Sequence, residues 1–137
     1  MALIFLVDTS VLKRLDKRSV RNVVAPLAEA GELCRARICD LEVVYSARNT
    51  KEWDRLFGAL AVFDVIETTA VHVRRALQVQ RMLAKRSRRG RKIPDLLIAA
   101  AAEELNLAVL HYDADFDHIA GVTGQRCEWI VPAGSVA

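Results

Sequence analysis

The chain has 137 residues, 53% of them hydrophobic, and a net charge of only +3, which suits one compact domain over residues 1–137 that buries roughly two-thirds of its unfolded surface without covalent staples. Three cysteines, Cys34, Cys39 and Cys127, make neither a disulfide scaffold nor the short spacing of a zinc knuckle, so free and mostly buried thiols are expected. The N-terminal apolar run is too short for a signal-peptide core, and no other stretch approaches a membrane span, so a cytoplasmic protein is expected.

Leu3 to Val7 is a continuous apolar run of strand length, as for a central parallel strand covered on both faces. Val20, Val23, Val24, Leu27 and Ala28 recur at helical spacing and stop at Gly31. Leu33 to Ile38 reads as a short strand. Asp40 is then placed to cap a helix with Glu42 in its first turn and with Val43, Val44, Ala47, Leu56 and Phe57 on its buried side. Val62 to Ile66 reads as a strand, and Thr69 caps a helix through Val73, Ala76, Leu77, Val79, Gln80 and Leu83. Ile93-Pro94 forces a break, and Asp95 opens the apolar helix Leu96 to Ala102. Leu107 to Leu110 is a further strand, Asp113 to Asp117 starts a short helix, and Cys127 to Val131 is the last strand. Strands alternating with helices predict a parallel α/β sandwich with right-handed crossovers.

Isolated acids end or follow these apolar segments: Asp8, Glu42, Asp95 and Asp113. In open parallel sheets, ligands gather beyond the carboxyl ends of the strands, where helix amino ends also face. The four carboxylates are therefore expected to converge on one pocket. Close carboxylates repel, and Mg²⁺ or Mn²⁺, which prefer oxygen ligands, would neutralise them. Capping alone is the simpler role for Thr9, Ser10 and Asp40, and a satisfied strand-end histidine is at least as good a reading of His111 as a phosphate contact. Trp53 and Phe57, one helical turn apart, favour a packed apolar stripe.

The segments Leu-Val-Asp8-Thr-Ser-Val, the helix bearing Glu42, Ile-Pro-Asp95-Leu-Leu-Ile-Ala-Ala and Leu-His-Tyr-Asp113-Ala-Asp-Phe-Asp-His-Ile together resemble the PIN-domain ribonucleases, specifically the VapC toxins of type II toxin–antitoxin pairs. The resemblance covers nearly the whole chain. It implies a three-layer α/β/α sandwich around a central, mostly parallel sheet of four or five strands. It also implies a Mg²⁺- or Mn²⁺-dependent endoribonuclease whose acids fall on Asp8, Glu42, Asp95 and Asp113, with Asp8 and Asp95 the principal ligands. Asp115 and Asp117 are alternatives to Asp113, which follows the strand directly. The implied partners are a VapB-type antitoxin, an RNA substrate such as a tRNA or rRNA loop, and a second copy in a homodimer.

Lys85 to Lys92 places six cations in eight positions just before Asp95, a candidate rim for RNA phosphates. Two other readings compete. One is a non-catalytic RNA- or partner-binding PIN domain. The other is a phosphatase with Asp8 as nucleophile, disfavoured because Ser10 stands where the commonest motif has a second Asp.

Overall fold

The computed structural model describes residues 2–87 and 92–137. The strands β1 (Phe5–Val7), β2 (Leu33–Ala36), β3 (Asp64–Ile66), β4 (Ala108–His111) and β5 (Cys127–Trp129) form one sheet in the order β3-β2-β1-β4-β5. Every pairing is parallel, and the register sets Phe5 opposite both Leu33 and Ala108. No helix among the described residues is long and apolar enough to cross a membrane.

Alternation along the strands divides the core between the two faces of the sheet. Leu6, Cys34 and Val109 pack with residues of α5 (Ala70–Lys85), α6 (Ile93–Glu104) and α7 (Asp115–Thr123), among them Leu83, Ile98 and Ile119. Val7, Leu33 and Leu110 turn the other way, onto Val11 of α1 (Thr9–Leu12) and Val20 and Val24 of α2 (Arg18–Glu29). The result is the predicted three-layer α/β/α arrangement. Each fully buried aliphatic side chain contributes about 1.5–3 kcal/mol through removal from water. Gly31, at φ 71°, ends α2: its amide donates to Ala28 O and that of Glu32 to Leu27 O, each over 3.0 Å, which turns the chain straight into β2.

The segment from Asp40 to Phe57 is two helices, not one: α3 (Arg37–Val44) and α4 (Thr50–Ala59), the second capped by Asn49 accepting from Glu52 N over 2.9 Å. β2 stops at Ala36, so Asp40 lies inside α3 rather than capping it, and Glu42 falls in its second turn. The cause is Arg35. Its buried guanidinium donates from Nε to Asp40 Oδ1 over 2.6 Å and from Nη1 to the carbonyls of Leu60 and Phe63, while Arg37 Nη1 reaches Asp40 Oδ2 over 2.8 Å. Asp40 is a counter-ion.

No residue of α4 is fully buried, and Trp53 stacks on Phe57 at 5.0 Å while remaining 42% exposed. On α5 the buried stripe runs through His72, Ala76, Val79 and Leu83, one position round from the expected Val73 and Leu77, which are exposed. Buried His72 completes the capping box with Thr69 and meets Glu104 Oε1 of α6 over 2.8 Å. Helix α5 is thereby pinned to α6.

The chain leaves β1 toward β2 and leaves β4 toward β5, in opposite directions across the sheet. A crevice must open beyond the carboxyl ends of β1 and β4, at this switch in strand order.

Candidate metal centre

Asp8 leaves β1 at that crevice. Its amide donates to Leu110 O of β4 over 2.9 Å, and its carboxylate caps α1, with Oδ2 accepting from Ser10 N over 2.9 Å and Ser10 Oγ over 2.5 Å. Ser10 Oγ in turn accepts from Tyr112 N over 2.8 Å. The hydroxyl expected to cap instead orients an acid. Thr9 behaves alike: its Oγ1 donates to Glu42 Oε1 over 2.7 Å, drawing α3 against α1.

Asp95 sits in the first turn of α6, after Pro94, whose fixed backbone suits that turn. The alanines Ala99 to Ala102 are all buried and let α6 approach the sheet closely. This brings Asp95 down to 3% exposure. Asp113 follows β4 by two residues; its Oδ1 accepts from Asp115 N over 2.9 Å and its Oδ2 from Lys92 Nζ over 2.7 Å. Ligand atoms of Asp95, Asp113 and Asp115 lie within 4.8 Å of one another. Asp117 accepts from Trp129 Nε1 at 3.2 Å and is not in that group.

Asp8, Glu42, Asp95 and Asp113 line one pocket of about 250 Å³, together with Thr9, Ser10, Lys13, Arg14, Lys92 and Tyr112. Two of its carboxylate oxygens, Asp8 Oδ1 and Asp95 Oδ2, are buried with no hydrogen-bond donor among the described residues. Burial and then the charge of Asp8 push Asp95 up to about 8, and burial also raises Asp8 despite its bonds to Ser10. Burial is also the largest single influence on Asp113, but the hydrogen bonds from Lys92 and from the Asp115 amide, with the nearby positive charge of Lys92, together outweigh it and leave Asp113 below the usual carboxylate range. Orphaned anionic oxygens cost several kcal/mol each in the absence of a compensating charge (a range of order 1–3 or more). An all-oxygen donor set of this kind fits a divalent cation.

The PIN domain profile matches residues 5–122. The chain is 68% identical over 136 residues to Ribonuclease VapC51 of Mycobacterium tuberculosis (strain ATCC 25618 / H37Rv), covering 99% of each. The chain belongs to the PIN-domain family, among the VapC ribonucleases. Ribonuclease VapC18 of the same strain is 39% identical over 140 residues, covering 98% of this chain and all of that one (100%). Among solved structures, the DNA-bound VapBC from Salmonella typhimurium shares the fold, with a TM-score of 0.76 at 19% identity over 94% of this chain and 99% of that one. VapBC-5 from Mycobacterium tuberculosis matches at 26% identity and a TM-score of 0.59, over 96% and 98% of the two chains. PIN ribonucleases are generally dependent on divalent metal, and a cluster of acidic residues is present here.

Some features of this PIN domain's pocket escaped the sequence. Lys13 and Arg14 line it, although only their closeness to Asp8 in the chain hinted at it. Of the basic run, Lys92 reaches the acids and Arg86 Nη1 bonds Gly121 O over 3.2 Å, while Arg88, Arg89 and Arg91 lie outside the described residues. His111 is buried, packs 5.0 Å from the rings of both Phe116 and Trp129, and accepts from Asp113 N at Nδ1 over 3.1 Å. Burial lowers its imidazolium to about 4. It is a neutral support for the Asp113 turn.

Proposed function

We propose that the chain is a Mg²⁺- or Mn²⁺-dependent endoribonuclease, the toxin of a toxin–antitoxin pair, with Asp8, Glu42, Asp95 and Asp113 as its metal-holding acids. The observation that carries this reading is the pair of buried oxygens without donors, Asp8 Oδ1 and Asp95 Oδ2, on carboxylates of a single pocket. The identity to a relative named a ribonuclease supports the substrate class. When bound, the metal supplies an activated water and charge stabilisation for in-line attack on a phosphodiester.

The chain's own residues prepare that site. Ser10 and the backbone of α1 hold one oxygen of Asp8 and leave the other for a cation. Thr9 fixes one oxygen of Glu42 at the pocket wall. Lys13, Arg14 and Lys92 bring positive charge to an acidic centre, and an RNA backbone requires that combination to approach it. Unpaired loops are the readable part of RNA, so a tRNA or rRNA loop is the substrate we favour. The silencing partner is a VapB-type antitoxin, supported by the VapBC-5 structure, and a homodimer bound to antitoxin is the expected assembly.

The test is cleavage of total cellular RNA by the purified protein and its Asp8→Asn and Asp95→Asn variants, with Mg²⁺, Mn²⁺ or EDTA, mapping the ends. Discrete metal-dependent cuts with 5′-phosphates, absent from both variants, are expected. Cleavage that is indifferent to metal and to both substitutions would favour the non-catalytic alternative.

A further inference from the structure

Lys92 is the N-cap residue of α6, three positions before Asp95, with 57% of its side chain exposed. Its Nζ stands 2.7 Å from Asp113 Oδ2 and 3.9 Å from Asp95 Oδ2. Those acids are two of the three whose ligand atoms cluster within 4.8 Å. An ammonium already fills the corner where carboxylates from α6 and from the turn after β4 converge. A divalent ion held by the same oxygens and this ammonium repel one another, and Asp113 Oδ2 is engaged by Nζ while the pair persists.

We infer that Lys92 is an internal placeholder cation, which neutralises the Asp95–Asp113 corner in the metal-free protein and lets go of Asp113 when a divalent ion enters. The inference rests on the pocket being a metal site, but not on RNA being the substrate. The chemistry of lysine suits the part. Its charge is compact and sits on a flexible four-carbon stem, so it can leave by rotation alone, without disturbing α6. Arg35 shows the contrast: buried at 6% exposure and bonded to Asp40, Leu60 and Phe63, it is locked. The half-exposed position of Lys92 gives its freed ammonium a path to solvent or to a ligand phosphate at the pocket mouth.

A placeholder predicts two effects of opposite sign, which a merely structural contact does not. Removing the charge should leave the acids facing one another, lowering the thermal midpoint of the metal-free protein. The same removal should tighten divalent binding, because no competitor remains. The experiment is calorimetric titration of Mn²⁺ into the full chain at fixed ionic strength, for the parent, Lys92→Met, Lys92→Gln and Lys92→Arg, with melting curves in EDTA. Expected are Mn²⁺ dissociation constants roughly tenfold lower for Lys92→Met and Lys92→Gln, as for loss of one partly screened charge at contact distance. Lys92→Arg should stay near the parent value. Equal or weaker Mn²⁺ binding by both neutral variants overturns the inference, as does failure of all four proteins to bind Mn²⁺. Tighter binding in the neutral variants of a protein that cuts no RNA supports the placeholder and overturns only the nuclease; equal binding in an active nuclease does the reverse.

Discussion

Thr9 Oγ1 donates to Glu42 Oε1 over 2.7 Å, joining the first residue of α1 to the second turn of α3 across 33 positions of sequence. Thr9 is also the residue after Asp8, so this one bond fixes how far apart two of the pocket's acids stand. Thr9→Val keeps the shape and removes the donor. It should cost about 1 kcal/mol of stability, weaken Mn²⁺ binding several-fold and slow RNA cleavage by roughly an order of magnitude. Thr9→Ser should retain all three properties. Urea melts, Mn²⁺ titration and single-turnover cleavage check this; a Val variant with parental metal affinity removes Glu42 from the site.

Asp95 carries a pH signature. Its carboxyl, at about 8 in the folded protein against an ordinary value of 3.8, binds its proton more tightly when folded than when unfolded. The contribution of this group to the stability of the metal-free protein is therefore full below about pH 4 and is lost progressively as pH rises toward 8. Asp8, also raised, acts with the same sign. Urea midpoints in EDTA should be higher at about pH 5.5 than at about pH 8.5, the slope should shrink in Asp95→Asn, and Mn²⁺ should cancel it by taking the proton's place. Midpoints in EDTA that do not change with pH count against a buried carboxyl that holds its proton to about pH 8.

These dependencies show which parts of the site the sequence could disclose. β1, β4 and α6 were legible because Leu3–Val7, Leu107–Leu110 and Leu96–Ala102 are continuous apolar runs, and burial on both faces leaves few other places for them. The meeting of Asp8, Asp95 and Asp113 was legible too, since parallel topology sends strand ends and helix starts to one edge. The role of Asp40 was not. A carboxylate before an apolar helical stretch has the local appearance of a cap, whereas its bond to Arg35 depends on acceptors at Leu60 and Phe63, 25 and 28 residues from Arg35. Nor was α4 legible as a separate helix, because Val43, Val44, Ala47, Leu56 and Phe57 fit one continuous stripe, and nothing local says that the surface it lies on leaves Trp53 half in solvent. Lys13 and Arg14 enter the pocket because α1 is only four residues long, a length its sequence does not announce.

Arg35 and Asp40 also make a stability prediction. Arg35 is 6% exposed and Asp40 3%, so Asp40→Ala strands a buried guanidinium and should cost about 3–5 kcal/mol. Because Arg35 ties β2 and α3 to the carbonyls that precede β3, the loss should also weaken metal binding through Glu42. Replacing both partners together, Arg35→Met with Asp40→Leu, should cost clearly less than Asp40→Ala alone. Urea midpoints of the two variants decide it: equal losses would mean that the ion pair has no bearing on the damage.

Arg14 is held at the pocket by three contacts: Nη1 donates to Ser10 O over 2.8 Å, Nε to Ala137 O over 3.0 Å, and the guanidinium carbon lies 4.6 Å from the centre of the Tyr112 ring. A side chain so fixed pays little further entropy on meeting a phosphate. Arg14→Ala should therefore raise KM for RNA more than it lowers kcat, and the logarithmic salt slope of binding should shrink by about 0.7 for one lost contact to a single strand. Arg14→Lys keeps the charge but loses the planar fork, so it should fall between the two. Binding measured across a salt series in the Asp95→Asn background separates this from catalysis. If the slope is the same with and without Arg14, the guanidinium serves the fold through Tyr112 and does not meet the substrate.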